Sequence, residues 1–237
     1  MRKLIRYSIL IVGLVVVGAS VSARDTYAQP GKGPLGQILD RMEAHNKTLD
    51  TVQASVTMKK YNPQLDETDT YTGSTSYIPK TSKVAKGKLY MRLDWVKPAV
   101  EQVAIIGDDY KLFKPGINQV YVGKVGKAKT SAGAGNALGF MSMSKEQLKA
   151  NYDVQYVGQE NIEGGIPTIH LMLIPKAATT YKSAELWVDG NGMPLQAKVV
   201  EQNKDTTTVT LSNVRKNAKL DTKIFVLNTN GAKKIDV

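Results

Sequence analysis

His45 and His170 are the only histidines in the sequence, and neither has a partner at catalytic or metal-ligand spacing. His170 lies in "TIHLML", a strand-like run in which a hydrogen-bonded structural histidine is expected rather than a catalytic one. Asp66, Glu67 and Asp69 cluster in a polar stretch that reads as solvated charge. The segment "GAGNALG" (residues 133–139) lacks the spacing of a dinucleotide-binding loop, and no G-x-S-x-G, H-E-x-x-H or P-loop pattern occurs. With no cysteine in the chain, thiol redox chemistry, thiolate metal sites and an N-terminal lipidated cysteine are all excluded. The residues therefore point away from an enzyme and call for neither a cofactor nor a metal. What stands out is greasy rather than catalytic: Leu138, Phe140, Met141 and Met143 crowd into "LGFMSM" at the middle of the chain. Methionine is flexible and polarizable, and suits an apolar surface that must accept varied shapes. On pattern alone these four residues either fill a core or line a cavity.

The elements that must position them begin after an export-like leader. Arg2, Lys3 and Arg6 precede the apolar run "ILIVGLVVVGA", and small residues end possible cleavage sites at Ala23 and Ala28. Residues 1–28 thus read as a signal peptide, with a membrane anchor as the rival reading, and residues 29–237 as a single domain. Export without cysteine suits a bacterial periplasmic protein large enough to fold on its core alone. The formal charge is +11; residues 1–28 hold four cations and one anion, so the remainder carries +8. Such a surface favours acidic partners or anionic headgroups, whereas dispersed lysines in an exported chain argue against nucleic acid.

Leu35, Ile38, Leu39, Met42 and Leu49 recur with helical period and predict an N-terminal helix with one apolar face. The period then changes to two. "QASVTMKKY", "TYTGSTSYI", "KLYMRLDW", "VEQVAII", "YKLFK" and "NQVYVGKV" read as an antiparallel meander, with turns at Gly107-Asp108-Asp109 and Pro115-Gly116. Alternation places Leu89, Met91, Leu93 and Trp95 on one face, expected to meet the helices. A glycine-rich stretch and a short helix capped by Ser144 and Gln147 interrupt the meander. Strands resume with "YDVQYVGQENI", "PTIHLMLIP", "AELWVD", "LQAKVVEQ" and "TTTVTLSNV", the middle pair joined by a turn at Asp189-Gly190-Asn191-Gly192.

The ordered segments "LGQILDRMEAHNKTLDTVQASVTM", "YTGSTSYIP", "MRLDWVKPAVEQVAIIGDDYKLFKPGINQVYVG", "GFMSM" and "LWVDGNGMPLQAKVVEQNKDTTTVTLSNVRKNAKLDTKIFVL" resemble the LolA family of periplasmic lipoprotein carriers. The resemblance implies a mainly β (α+β) fold: an incomplete antiparallel barrel of about ten strands covered by helical lid segments, with "KIFVL" as its last strand. It implies an apolar cavity lined by Leu89, Met91, Leu93, Trp95, Val103, Ile105, Leu138, Phe140, Met141 and Met143, with Leu35, Ile38, Leu39 and Met42 covering it from the N-terminal helix. The implied function is to carry lipoprotein acyl chains as a periplasmic monomer, from an inner-membrane lipoprotein-releasing ABC transporter to an outer-membrane acceptor. A lipid-sensing regulator of envelope stress on the same fold is the alternative. One departure is visible. Family members carry an arginine directly before the proline that leads towards R-x-D-W, and there it latches the lid. Here Ile78 precedes Pro79, and Leu89 occupies the other position reached by spacing from Trp95, leaving Lys80, Lys88 and Arg92 as the nearby cations.

Overall fold

The structure is a computed structural model that describes residues 33–125, 137 and 139–237. Its helix α1 (Pro34–Thr48) opens with proline in the first turn, where the missing N–H costs no intrahelical hydrogen bond. Ile38, Leu39, Met42 and His45 form its buried stripe. His45 thus takes a core-facing position between the predicted Met42 and Leu49, and Leu49 lies just past the last helical turn. Helix α2 (Lys145–Asn151) begins at the expected capping box. The Gln147 N–H donates to Ser144 Oγ, and Gln147 Oε1 accepts from the Ser144 N–H.

Among the described residues twelve strands form one sheet. The first six are β1 (Val52–Asn62), β2 (Glu67–Ile78), β3 (Tyr90–Lys97), β4 (Glu101–Ile106), β5 (Asp109–Lys114) and β6 (Gln119–Lys124). The second group comprises β7 (Tyr152–Ile162), β8 (Ile166–Pro175), β9 (Tyr181–Val188), β10 (Pro194–Glu201), β11 (Thr206–Lys216) and β12 (Lys233–Asp236). Their order is β12-β6-β5-β4-β3-β2-β1-β11-β10-β9-β8-β7, so the sheet remains open, with β12 and β7 at its edges. Antiparallel pairing of β1 with β11 joins the two meanders; among the described strands only the β12–β6 pair is parallel. Each of the eleven strand-like runs read from the sequence forms a strand. β12 is an addition to the count of about ten, and the expected final strand "KIFVL" is instead centred on a 3-10 turn, Thr222–Phe225. Phe225 drops from that turn into a small second core with Ile78 and Ala85, which supplies the burial a strand would otherwise have given it.

Two glycines show why the elements fit. Gly192, in the β9–β10 turn, has φ of +88°, and a Cβ there would lie 2.3 Å from the Arg41 carbonyl of α1. At Gly73 of β2 a Cβ would lie 2.1 Å from the Asp94 carbonyl oxygen of β3. In both places only the absence of a side chain permits the approach.

Candidate functional site: the inner apolar face

Cross-strand partners share a face of a sheet, so the register identifies the surface that lies beneath the helices. One row runs Leu171, Leu186, Ala197, Val209, Met58, Tyr71 from β8 across to β2. A second runs Ala54, Thr75, Leu93, Val103, Leu112, and a third Val52, Tyr77, Met91, Ile105, Tyr110. The main hydrophobic core draws on these rows together with Ile38, Leu39 and Met42 of α1, Leu148 of α2, Ala137 and Phe140. Leu93 and Trp95 are buried in it, at 3% and 6% exposure. The outer face at β3 is polar: Arg92 pairs with Asp94 and donates to the Ile224 carbonyl of the 3-10 turn. The predicted register of β3 therefore holds.

Burial is uneven along this inner face. Over β8–β11 it is sealed, with Leu171, Leu173, Ala184, Leu186, Ala197, Val199 and Val209 fully inaccessible. Over β2–β4 it is not: Tyr77, Met91, Val103 and Ile105 are each half-buried. These four make a continuous apolar strip beside the sealed core. Leu89 is also half-buried, but it sits just before β3, its carbonyl accepting from the Gly107 N–H.

The segment in front of α2 borders that strip. Ala137, Gly139, Phe140 and Met141 are helical, and Leu138 lies outside the described residues, as do Gly133 and Gly135. Phe140 is 2% exposed and meets Tyr152 and Tyr181 edge to face, each at 5.6 Å between ring centres. Those two tyrosines share a hydrogen bond of 2.6 Å, and burial, then that bond, pushes the Tyr181 hydroxyl well above its ordinary pKa. Met141 and Met143 are half-buried against the core. Ser142 Oγ donates to the Gly139 carbonyl at 2.9 Å; burial raises the Tyr77 pKa, and nearby Ser142 opposes the rise.

Helix α1 holds the same segment from the other side. Asn46 Nδ2 donates to the Met143 carbonyl at 3.3 Å, and Lys145 at the start of α2 pairs with Asp40 and, at 3.5 Å, with Glu43. The pair raises the pKa of Lys145, chiefly through Asp40; Glu43 is lowered by Lys47 first and by Lys145 less. None of the cations near Pro79 plays this part. Lys80 and Lys88 are exposed and Arg92 serves the outer face, while Ile78 is fully buried in the second core.

Of the predicted cover residues, Ile38, Leu39 and Met42 are buried and Leu35 packs half-buried on the core. Tyr77, His45 and the Tyr152–Tyr181 pair were missed by sequence reasoning. Tyr77 could have been found, because it continues the alternation of Gly73 and Thr75 along β2. The tyrosine pair could not, since it joins residues 29 positions apart on the first and third strands of a meander. His170 is a structural histidine: it stacks on Trp187 at 4.3 Å and its Nε2 lies 2.9 Å from Glu185. Among the described residues no group of three or more potential ligands could hold a metal ion, and no helix is long and apolar enough to cross a membrane.

Residues 81–228 match the family described as outer membrane lipoprotein carrier protein LolA. No curated protein matches the sequence significantly. Among solved structures, a conserved protein from Thermus thermophilus aligns with a TM-score of 0.55 at 11% identity, over 86% of this chain and 100% of that one. The Pseudomonas aeruginosa MucA/MucB complex aligns at 0.50 and 16% identity, over 81% of this chain. Here the chain spans 61% of the matched chain's length. A putative outer membrane lipoprotein-sorting protein domain from Vibrio parahaemolyticus aligns at 0.43 and 14% identity, over 80% and 94% of the two chains. At these identities the likeness concerns the fold.

Proposed function

This chain belongs to the LolA family of outer membrane lipoprotein carrier proteins, and on that premise we propose that it is a periplasmic carrier of lipoprotein acyl chains. One observation carries the reading: the strip of Tyr77, Met91, Val103 and Ile105, which continues the inner apolar face but is only half covered. An acyl chain laid on this strip, beneath Phe140, Met141 and Met143, extends a core that is already built. The cargo surface comprises that strip with Leu89, Leu93 and Trp95.

The task is one of solubility. Exposing an acyl chain of about 16 carbons to water costs about 12 kcal/mol, at roughly 0.8 kcal/mol per CH₂. A carrier must offset most of this and still release its load, so a methionine-containing cover over a rigid sheet suits it better than a close-packed one. No bond is made or broken. A signal peptide over residues 1–28 would deliver the remaining single domain to the periplasm. There it would take cargo from an inner-membrane lipoprotein-releasing transporter and pass it to an outer-membrane acceptor. The likeness to the MucA/MucB complex supports a second reading, a lipid-sensing regulator acting through a protein partner.

Met91→Asp combined with Ile105→Asp tests the site. The expected outcome is loss of binding of a fluorescent fatty acid and of an acylated lipopeptide, with the far-UV circular dichroism retained. Undiminished binding by the double variant would reject the strip as the cargo site. To separate carrier from sensor, radiolabelled lipoprotein can be followed from inner-membrane vesicles to outer-membrane vesicles. Binding without transfer would favour the sensor.

A further inference from the structure

The uneven distribution of lysine points to a surface that the carrier reading does not use. The β2–β3 connection, residues 79–89, exposes Lys80, Lys83, Lys86 and Lys88. It is held rigid by turns in which Ser82 donates to the Pro79 carbonyl, Ala85 to Ser82 and Lys88 to Ala85. Ala85 of this connection is buried against Phe225, so the loop sits directly on the C-terminal 3-10 turn. That turn and its flank add exposed Lys219 and Lys223. Between the cations stand two apolar side chains open to solvent, Val84 at 43% and Val226 at 63% exposure.

Two carboxylates, Asp50 and Asp221, lie on this surface, so the six exposed lysines leave it a net charge of about +4. Asp50 accepts from Ser82 Oγ and the Lys83 N–H, and Asp221 accepts from the Lys223 N–H at the head of the 3-10 turn. Asp109, in the neighbouring hairpin, pairs with Lys124. Six exposed lysines and two exposed valines thus lie on two elements that share a core.

We infer that the surface formed by residues 79–89 and 219–226 docks on an anionic lipid membrane. The lysines meet headgroup phosphates while Val84 and Val226 enter the interface between headgroup and acyl chain. The connection leads straight into Leu89 and Met91, so docking brings the end of the open inner strip close to the headgroups. Charge complementarity identifies the occupant: basic side chains held near an anionic surface gain about fivefold in affinity apiece, and the gain is lost as salt shortens the Debye length. The inference does not depend on the carrier reading, because binding to vesicles is measured without cargo.

The test is cosedimentation of the purified protein with phosphatidylcholine vesicles, with and without about one third phosphatidylglycerol, over roughly 0.05 to 0.5 M salt. The wild type should bind only the anionic vesicles, and only at low to moderate salt. The triple variant K80E/K83E/K223E should lose at least about a hundredfold in partitioning, because each change removes a cation and adds an anion. A charge-matched control, K149E/K182E/K204E, places the same three reversals on exposed positions elsewhere and should keep most of the binding. Thermal melts of both variants verify that each is folded. Equal losses in the two variants would overturn the inference, because net charge alone would then explain the binding. Absence of wild-type binding to anionic vesicles would also overturn it and leave the patch to an acidic protein partner.

Discussion

Phe140→Ala separates a cover that lifts from a permanent plug. The ring is 2% exposed and makes two edge-to-face contacts, with Tyr152 and Tyr181. In an ordinary core its truncation costs about 3–5 kcal/mol, made up of lost transfer energy and the cavity left behind. The two aromatic contacts account for about 0.5–1.5 kcal/mol each of what the ring contributes. Whether this loss reaches the whole protein depends on what opens when Phe140 leaves. Among the described residues the remaining ties of residues 139–143 are half-buried Met141 and Met143 and the bond from Asn46. The sheet below keeps its sealed rows without them. A segment held this way opens locally, at less than the free energy of global unfolding. We therefore expect hydrogen exchange at residues 139–143 to quicken by two or more orders of magnitude. Exchange of the β8–β11 amides should report a global change of no more than about 1 kcal/mol, and fatty-acid affinity should fall markedly. A global loss of 3–5 kcal/mol with unaltered fatty-acid binding would refute the reasoning and establish Phe140 as a plug.

Gly192→Ala should destabilise by about 2 kcal/mol or more in a denaturant melt, since it adds a clash with Arg41 to the strain of a positive φ. A loss below about 0.5 kcal/mol would mean that α1 shifts freely off the β9–β10 turn. His45 should make stability depend on pH. Burial first, then Lys216, lowers its folded pKa from 6.5, against a smaller opposing effect of Asp189. The unfolded chain therefore binds the proton first. The contribution is fully present above pH 6.5 and is lost as pH falls towards the lower folded value, with a slope of at most about 1.4 kcal/mol per pH unit. His45→Leu should flatten the urea-midpoint profile between pH 7.5 and 5.5; an unchanged profile would assign the dependence to other groups.

Local pattern settled much of this protein before any fold was in view. Period-two alternation determines which side chains of a strand share a face, so Leu93 and Trp95 opposite Arg92 and Asp94 were legible from eight residues. The Ser144–Gln147 cap was legible because its partners lie three positions apart. Turn residues between strands marked the hairpins for the same reason. The lack of cysteine removed thiol chemistry by composition alone, and no paired histidines or nucleophile motif marked another catalytic constellation. Tertiary structure decided what depends on distant segments meeting. "KIFVL" has the composition of a strand, yet Phe225 finds its burial between Ile78 and Ala85 and needs no strand to do so. Alternation could not say which part of the inner face is sealed and which stays half-open, because that depends on how far α1, Phe140 and α2 extend over it. The Lys145 pairing with Asp40 and Glu43 joins elements about a hundred residues apart. No local rule encodes that distance; only the docking of α2 on α1 brings those charges together.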